Sequence, residues 1–322
     1  MTITARLRAT ALAFTAALFA LSVQAAVPQQ KTQAPGYYRL MIGDIEVTAL
    51  SDGTIPMPVG KLLQGVKPAA VDHALSHAFL KDPVEASVNG YLINTGTHLV
   101  LVDTGAGELF GPSVGNLANN LRAAGYQPEQ VEEIYITHMH GDHIGGLMSG
   151  GKMVFPNAIV RACQHESGYW LSKENLEAAT GDRAGGFKAA MASVGPYVSA
   201  GKFKPFEEDT ELVPGVSAKV AHGHTPGHTT YMVESKGQRL LLWGDLMHVA
   251  SVQFADPSVT ILYDSDSKAA YAQRLRIFND ASKNGYWVAG GHLPFPAFGH
   301  LRAEGKGFRF FPANYSSFRL PN

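Results

Sequence analysis

The segment Thr137-His138-Met139-His140-Gly141-Asp142-His143 places three histidines and an aspartate within six positions, directly after the strand-like run Ile134-Tyr135-Ile136. Imidazole nitrogens with a carboxylate are the donor set of a borderline divalent ion such as zinc. His138 and His140 are two apart, so on an extended or tightly turning segment they point the same way. Asp142 and His143 continue into a turn and can face a second ion. Four solvated polar residues in a loop are the bland alternative, and ligand density alone disfavours it.

Three downstream segments strengthen the metal reading. Val220-Ala221-His222-Gly223-His224-Thr225-Pro226-Gly227-His228 is a second histidine cluster, in a Gly/Pro turn after a short apolar strand. Leu240-Leu241-Leu242-Trp243-Gly244-Asp245 is a buried-strand pattern ending in a carboxylate, and Tyr286-Trp287-Val288-Ala289-Gly290-Gly291-His292 is one ending in a histidine. Apolar runs of this length occupy the middle of a sheet. Ligands on the loops at their ends are how a rigid scaffold gathers a site from distant sequence.

These residues together resemble the metallo-β-lactamase superfamily: the His-X-His-X-Asp-His motif, the His-Thr-Pro-Gly-His turn, the Gly-Asp pair and the terminal Gly-His. Leu101-Val102-Asp103-Thr104-Gly105 matches that family's first motif, and the resemblance runs from about Tyr37 to the C-terminus. Within the superfamily the chain resembles the group of methyl parathion hydrolase and its lactonase relatives, in GYQPEQVEEIYITHMHGDHIGGLM, GKFKPF, HGHTPGHTTYMVES and HLRAEGKGFRF. The resemblance implies an α/β fold, a four-layer αββα sandwich with the metals at the loop edges of two sheets. It implies two divalent ions per chain, with zinc the expected metal. His138, His140 and His224 would hold one; Asp142, His143 and His292 the other; Asp245 would bridge both. His228 would be a supporting group, and His222 matches no motif. Asp103 reads either as a hydrogen-bonding support for the ligand loop or as a turn aspartate before Gly105.

A pair of ions makes hydroxide available at neutral pH and polarises a carbonyl or phosphoryl oxygen, so no serine or cysteine nucleophile is needed. Asp142 and Asp245 are the carboxylates placed at the chemistry. The same centre could serve a lactone, an ester or a phosphotriester, and the pocket decides between them. By resemblance, Phe110, Trp170 and Phe187 would line an apolar pocket; ordinary core aromatics are the alternative. His248, three residues after Asp245, stands where the organophosphate hydrolases would carry an apolar residue. It could line the pocket, donate to a leaving group or narrow the site, and it favours a lactone or aryl ester over a phosphotriester. The expected activity is therefore hydrolysis of aromatic or hydrophobic lactones and aryl esters, with promiscuous organophosphate hydrolysis. A phosphotriesterase or an acyl-homoserine lactonase is the alternative enzyme, and a non-catalytic metal-binding protein the alternative class. A β-lactamase is disfavoured, because familiar di-zinc lactamases use a cysteine at the second ion.

The elements that position these residues belong to a chain of 322 residues, 45% hydrophobic and 16% charged, an ordinary globular composition. Arg6 and Arg8 precede an apolar run from Ala11 to Val23, and Val23-Gln24-Ala25 is a small-residue cleavage pattern. Residues 1–25 thus read as a secretory signal peptide, too short in its apolar run for a spanning helix of ~20 residues, and imply a periplasmic or secreted protein. Their removal takes two basic residues and leaves 24 basic against 27 acidic, a net charge of −3. No basic patch points to nucleic acid, and nothing after the leader points to a membrane. The expected partner is a small-molecule substrate, and the resemblance suggests a homodimer. Cys163 is the single cysteine and reads as a small buried apolar group.

Residues 26–36 read as a flexible leader and 37–322 as one hydrolase domain. Ile45 to Leu50 reads as a strand before the turn Ser51-Asp52-Gly53, and Thr95-Gly96-Thr97 joins a hairpin of two apolar runs. Leu117, Leu121 and Ala124 share a helix face that ends at Gly125. Residues 164–200 read as two helices joined by a loose segment from Thr180 to Gly186. Strands follow near 218–221, 230–234 and 239–243, then a helix from about Ser267 to Lys283.

Overall fold

Side-chain alternation along Leu99–Val102 shows how the layers form, because successive residues of a strand face opposite sides of the sheet. Val100 and Val102 join a core with Val216, Tyr231, Val233, Leu240 and Val288 of a second sheet. Leu99 and Leu101 face the other way, into a core with Leu117, Leu121, Phe187, Val194 and Tyr197 of two helices. Helix Ser267–Asn284 covers the second sheet and packs Ile277, Phe278 and Ala281 against it, in the same continuous apolar cluster. The result is the expected αββα sandwich, here a computed structural model that describes residues 27–317. The leader reading of residues 1–25 lies outside the described residues. From Pro35 on the chain forms one unit. No helix among the described residues is long and apolar enough to cross a membrane.

The first sheet has the order Tyr37–Ile42, Ile45–Met57, Val84–Asn94, Leu99–Val102, Glu133–Tyr135, Ile159–Arg161. The second runs Thr210–Val213, Val216–Val220, Thr229–Ser235, Gln238–Leu242, Trp287–Ala289, Gly299–Glu304, Gly307–Pro312. Most pairs are antiparallel, but Leu99–Val102, Glu133–Tyr135 and Ile159–Arg161 pair in parallel, as do Gln238–Leu242 and Trp287–Ala289. A parallel pair needs a crossover, and helices Leu117–Ala123 and Ser267–Asn284 lie in two of them. The second of these is well specified locally. The Asp266 side chain accepts from the Ala269 amide at 2.9 Å, and Gly285 ends the helix at φ 67°.

Three local readings change. Ser51-Asp52-Gly53 does not turn the chain: the strand runs from Ile45 to Met57, and its register with Val84–Asn94 slips between Ser51 and Gly53. A Cβ on Gly53 would lie 2.0 Å from the Ser113 carbonyl oxygen, so the bulge needs glycine. The stretch Thr180 to Gly186 is not loose, since helix Gly181–Ser199 occupies it, and helices Gln164–Trp170 and Lys173–Ala178 precede it. Glycine lowers helix propensity, but here it permits packing, because a Cβ on Gly186 would stand 3.0 Å from the Trp170 ring. The hairpin Gly299–Glu304 and Gly307–Pro312 extends the second sheet beyond the last strand expected.

The bulge buries Asp52, whose carboxylate accepts from the amides of Ala106 and Gly115 at 2.9 Å each and Leu117 at 3.0 Å. It thereby fastens the loop after strand Leu99–Val102. Removing a charged acceptor strands buried donors at 1–3 kcal/mol each. Asp52→Ala should therefore lower unfolding stability by about 3 kcal/mol or more in a denaturant titration; a loss below about 1 kcal/mol would contradict this role.

Candidate metal centre

The ligand loops leave the carboxyl ends of the parallel strands, where open α/β sheets present their sites. Asp103 follows Leu99–Val102, residues 138–143 follow Glu133–Tyr135, Asp245 follows Gln238–Leu242, and His292 follows Trp287–Ala289. His224 comes from the turn between Val216–Val220 and Thr229–Ser235. Close backbone approach requires glycine at Gly291, where a Cβ would lie 2.7 Å from Asp245 Oδ1 and 2.9 Å from the His143 ring.

The sequence-predicted ligands converge. His138 Nε2 and His224 Nε2 stand 3.0 and 3.1 Å from His140 Nδ1. Asp142, His143 and His292 form a second cluster, with His292 Nε2 at 3.3 Å and His143 Nε2 at 3.7 Å from Asp142 Oδ2. Asp245 Oδ2 lies between them, at 3.6 Å from both His138 and His224, 3.3 Å from His143 and 3.1 Å from His292. Nitrogens sharing a tetrahedral zinc at ~2.0–2.1 Å are roughly 3.3 Å apart, so these spacings fit a binuclear metal site. Buried His143 Nε2 and Asp245 Oδ1 have no hydrogen-bond partner among the described residues, which also fits ligation.

Outer partners aim the rings. His143 Nδ1 donates to Asp103 Oδ2 at 2.8 Å, His224 Nδ1 to Asp264 Oδ1 at 2.8 Å and His292 Nδ1 to the Ser87 carbonyl at 2.8 Å. The Thr137 hydroxyl donates to Asp103 at 2.7 Å, so it accepts from His138 Nδ1 at 3.1 Å. With Nδ1 committed in all four rings, each Nε2 faces the centre. Asp103 also accepts from the Thr137 amide at 2.8 Å, so it acts as support for the ligand loop. His228 Nε2 accepts from the Asp245 amide at 3.1 Å and holds the backbone of that carboxylate. His222 lies apart, 3.8 Å from Cys163 Sγ.

Burial pushes the His138 and His140 imidazoles down, His140 to about 3, and neighbouring imidazoles add to it. Burial acts the same way on His143 and His292, but the Asp245 and Asp142 carboxylates outweigh it. His143 rises well above the ordinary range and His292 to about 10. Asp245, which burial alone would raise, is held well below the carboxylate range by His292 and His143.

Among the expected pocket residues, the Trp170 ring packs edge-on against His140 at 5.4 Å. Phe187 is 1% exposed and reaches the site only through Trp170, 4.8 Å away. Phe110 is 48% exposed and lies over Gly141, between His140 and Asp142. His248 is buried, with Nε2 3.1 Å from Asp245 Oδ2 and its ring stacked at 5.2 Å on His292. It forms a further ligand-like group with His224 and Asp245. Sequence reasoning missed Glu166, Asp264, Asn89 and Ser87. Asn89 donates to the carbonyls of Gly290, Gly291 and Leu293 and so fixes the His292 loop. These residues belong to no motif, and only the tertiary contacts reveal them.

An αββα sandwich with a three-histidine cluster and a histidine–carboxylate cluster joined by one aspartate has the form of a binuclear metal-site scaffold. The sequence profile of the metallo-beta-lactamase superfamily matches residues 84–292, and the chain belongs to that superfamily, as a metal-dependent hydrolase. An N-acyl homoserine lactonase from Bacillus sp. is 26% identical over 242 residues, 69% of this chain and 84% of that one. The solved structure of hydrolase AbOPH, of the beta lactamase superfamily, superposes with a TM-score of 0.85 at 35% identity, covering 89% of this chain and all of that one. AidC, a dizinc quorum-quenching lactonase solved with a product, gives 0.78 at 25% identity over 88% of this chain and 99% of its own.

Metal-free protein at neutral pH carries protons on His143 and His292 that an incoming ion must displace. Adding zinc at pH 7 should release protons, one from each ring, and affinity should fall as pH falls. Calorimetry in buffers of different ionisation enthalpy measures this, and proton-neutral loading would contradict it.

Proposed function

We propose that the protein is a binuclear zinc lactonase of aromatic or otherwise hydrophobic lactones and aryl esters, with weaker organophosphate hydrolysis. The observation that carries this reading is Asp245 Oδ2, shared by both clusters, with the Trp170 ring packed edge-on against His140. His138, His140 and His224 would hold one ion and Asp142, His143 and His292 the other, with Asp245 between them. When bound, such a pair supplies Lewis acidity toward a carbonyl or phosphoryl oxygen and lowers the pKa of water toward neutrality. The chain's own residues do the rest. Asp103, Asp264 and Ser87 fix ring orientation, while the half-exposed Phe110 offers apolar surface to the substrate's non-reacting part and the buried Trp170 backs His140. The lactonase names of AidC and the Bacillus relatives support a lactone, and they make an acyl-homoserine lactone the second substrate to try. Export through residues 1–25 and a homodimer belong to the same proposal; the mass of the native protein and its size in solution test them.

Metal analysis should find two ions per active chain, and a chelator should abolish turnover; one ion or fewer in fully active protein would overturn the centre. Asp245→Ala should lose most of the rate. On a panel of aryl lactones, acyl-homoserine lactones, aryl esters and phosphotriesters, the highest kcat/KM should fall on a hydrophobic lactone. A phosphotriester that outpaced every lactone would reverse the assignment.

His248 should tune this choice. A lactone carbonyl goes from planar to tetrahedral and a phosphoryl centre to a trigonal bipyramid, so the two need different wall space. His248→Leu should shift the phosphotriester-to-lactone ratio of kcat/KM toward the phosphotriester, by about tenfold for ~1.4 kcal/mol of differential transition-state binding. An unchanged ratio would remove His248 from selectivity.

A further inference from the structure

Glu166, in the helix Gln164–Trp170 that follows strand Ile159–Arg161, is fully buried. No Lys or Arg pairs with it among the described residues; three donors surround its carboxylate instead. Oε1 accepts from the Met139 amide at 2.7 Å, and Oε2 accepts from the Thr225 hydroxyl at 2.7 Å and the Gly227 amide at 2.8 Å. Met139 stands between His138 and His140, and Thr225 follows His224. One oxygen therefore holds the first histidine loop and the other holds the second. The fit leaves no slack, since a Cβ on Gly227 would lie 2.1 Å from the Glu166 nitrogen.

Charge and geometry make this a specific tie. A buried carboxylate without a counter-ion is costly unless hydrogen-bonded, and these donors are all neutral. Glutamine at this position has one acceptor oxygen, so its amide nitrogen would face an N–H or O–H donor on one of the two loops. The loops held are those of His138, His140 and His224. Asp142, His143 and His292 are oriented by other groups, Asp103 and Ser87 among them.

We propose that Glu166 is a positioning residue of the His138–His140–His224 cluster: its two oxygens set the spacing of the loops that carry these histidines, two of whose rings Thr137 and Asp264 orient, and so set how tightly that cluster's ion is held. This rests on the two-ion reading above. Titration of the full-length protein with zinc against a chromophoric chelator tests it. Wild type should hold two ions tightly. Glu166→Gln should keep one tight ion and weaken the other roughly 10–100-fold, the usual effect of losing a partner behind the ligands. The visible spectrum of the cobalt-loaded protein should change with it. Thr225→Val removes one of the three donors and should weaken the same ion less, which keeps the test open if Glu166→Gln does not fold. Two ions held at wild-type affinity in folded Glu166→Gln, or both weakened alike, would overturn the proposal. Fewer than two ions in wild type would instead sink the two-ion reading, and this inference with it.

Discussion

A single carboxylate oxygen, Oδ2 of Asp245, lies 3.1–3.6 Å from ring nitrogens of His138, His143, His224, His248 and His292. Five imidazoles cannot crowd a buried anion unless their protonation and orientation are controlled. If all carried protons they would repel one another across a low-dielectric space. If free to rotate, they would turn their nitrogens toward the backbone. Much of the surrounding structure answers this constraint. Asp103, Asp264, Thr137 and the Ser87 carbonyl each take the outward nitrogen of one ring, and the inward nitrogen is left for the centre.

The two clusters differ electrostatically, and the difference follows from where the carboxylates stand. His138 and His140 have mainly burial and neighbouring rings around them, which keep them neutral. His143 and His292 face Asp142 and Asp245, which favour the protonated ring. These carboxylates favour protons on the second cluster's rings, and such protons compete with a divalent ion there. Exposure follows a similar division. His140 and Asp142 are only partly buried, beside the half-exposed Phe110, while His138, His143, His224 and His292 lie deep. The least buried member of each cluster thus lies toward the surface, beside an exposed aromatic ring.

Burial on this scale needs a frame that does not yield. The carboxyl ends of parallel strands supply it, because hydrogen bonds on both sides fix the strands that deliver Asp103, the 138–143 loop and Asp245. Buried carboxylates then fasten the loops at points the strands cannot reach. Asp52 holds the loop after Asp103, and Glu166 spans two histidine loops. Asn89 does the same for the His292 loop with an amide, where the groups to be held are carbonyls. The choice of side chain follows the polarity of what it ties: carboxylate for amides, amide for carbonyls.

The ligand-type residues were legible in the chain because their spacing is local: His138, His140, Asp142 and His143 sit within six positions, and Asp245 and His292 end apolar runs that read as strands. The sandwich was legible through the family resemblance, and its strands through period-two alternation that survives in single segments such as Leu99–Val102. The bulge at Asp52 and the helical start at Gly181 were not, because a turn-like or glycine-rich string is overruled by contacts with residues far along the chain. Glu166, Asp264 and Asn89 were also silent in sequence. Their roles depend on which backbone amide, carbonyl or imidazole the fold brings to them, and a lone carboxylate or histidine carries no periodicity to announce its partner. The sequence by itself determined the ligand-type residues and their order along the chain. The tertiary structure decided which oxygen five of the rings share and which side chains hold them there, because hydrogen bonds between loops separated by 40–204 residues exist only once the sheets have packed.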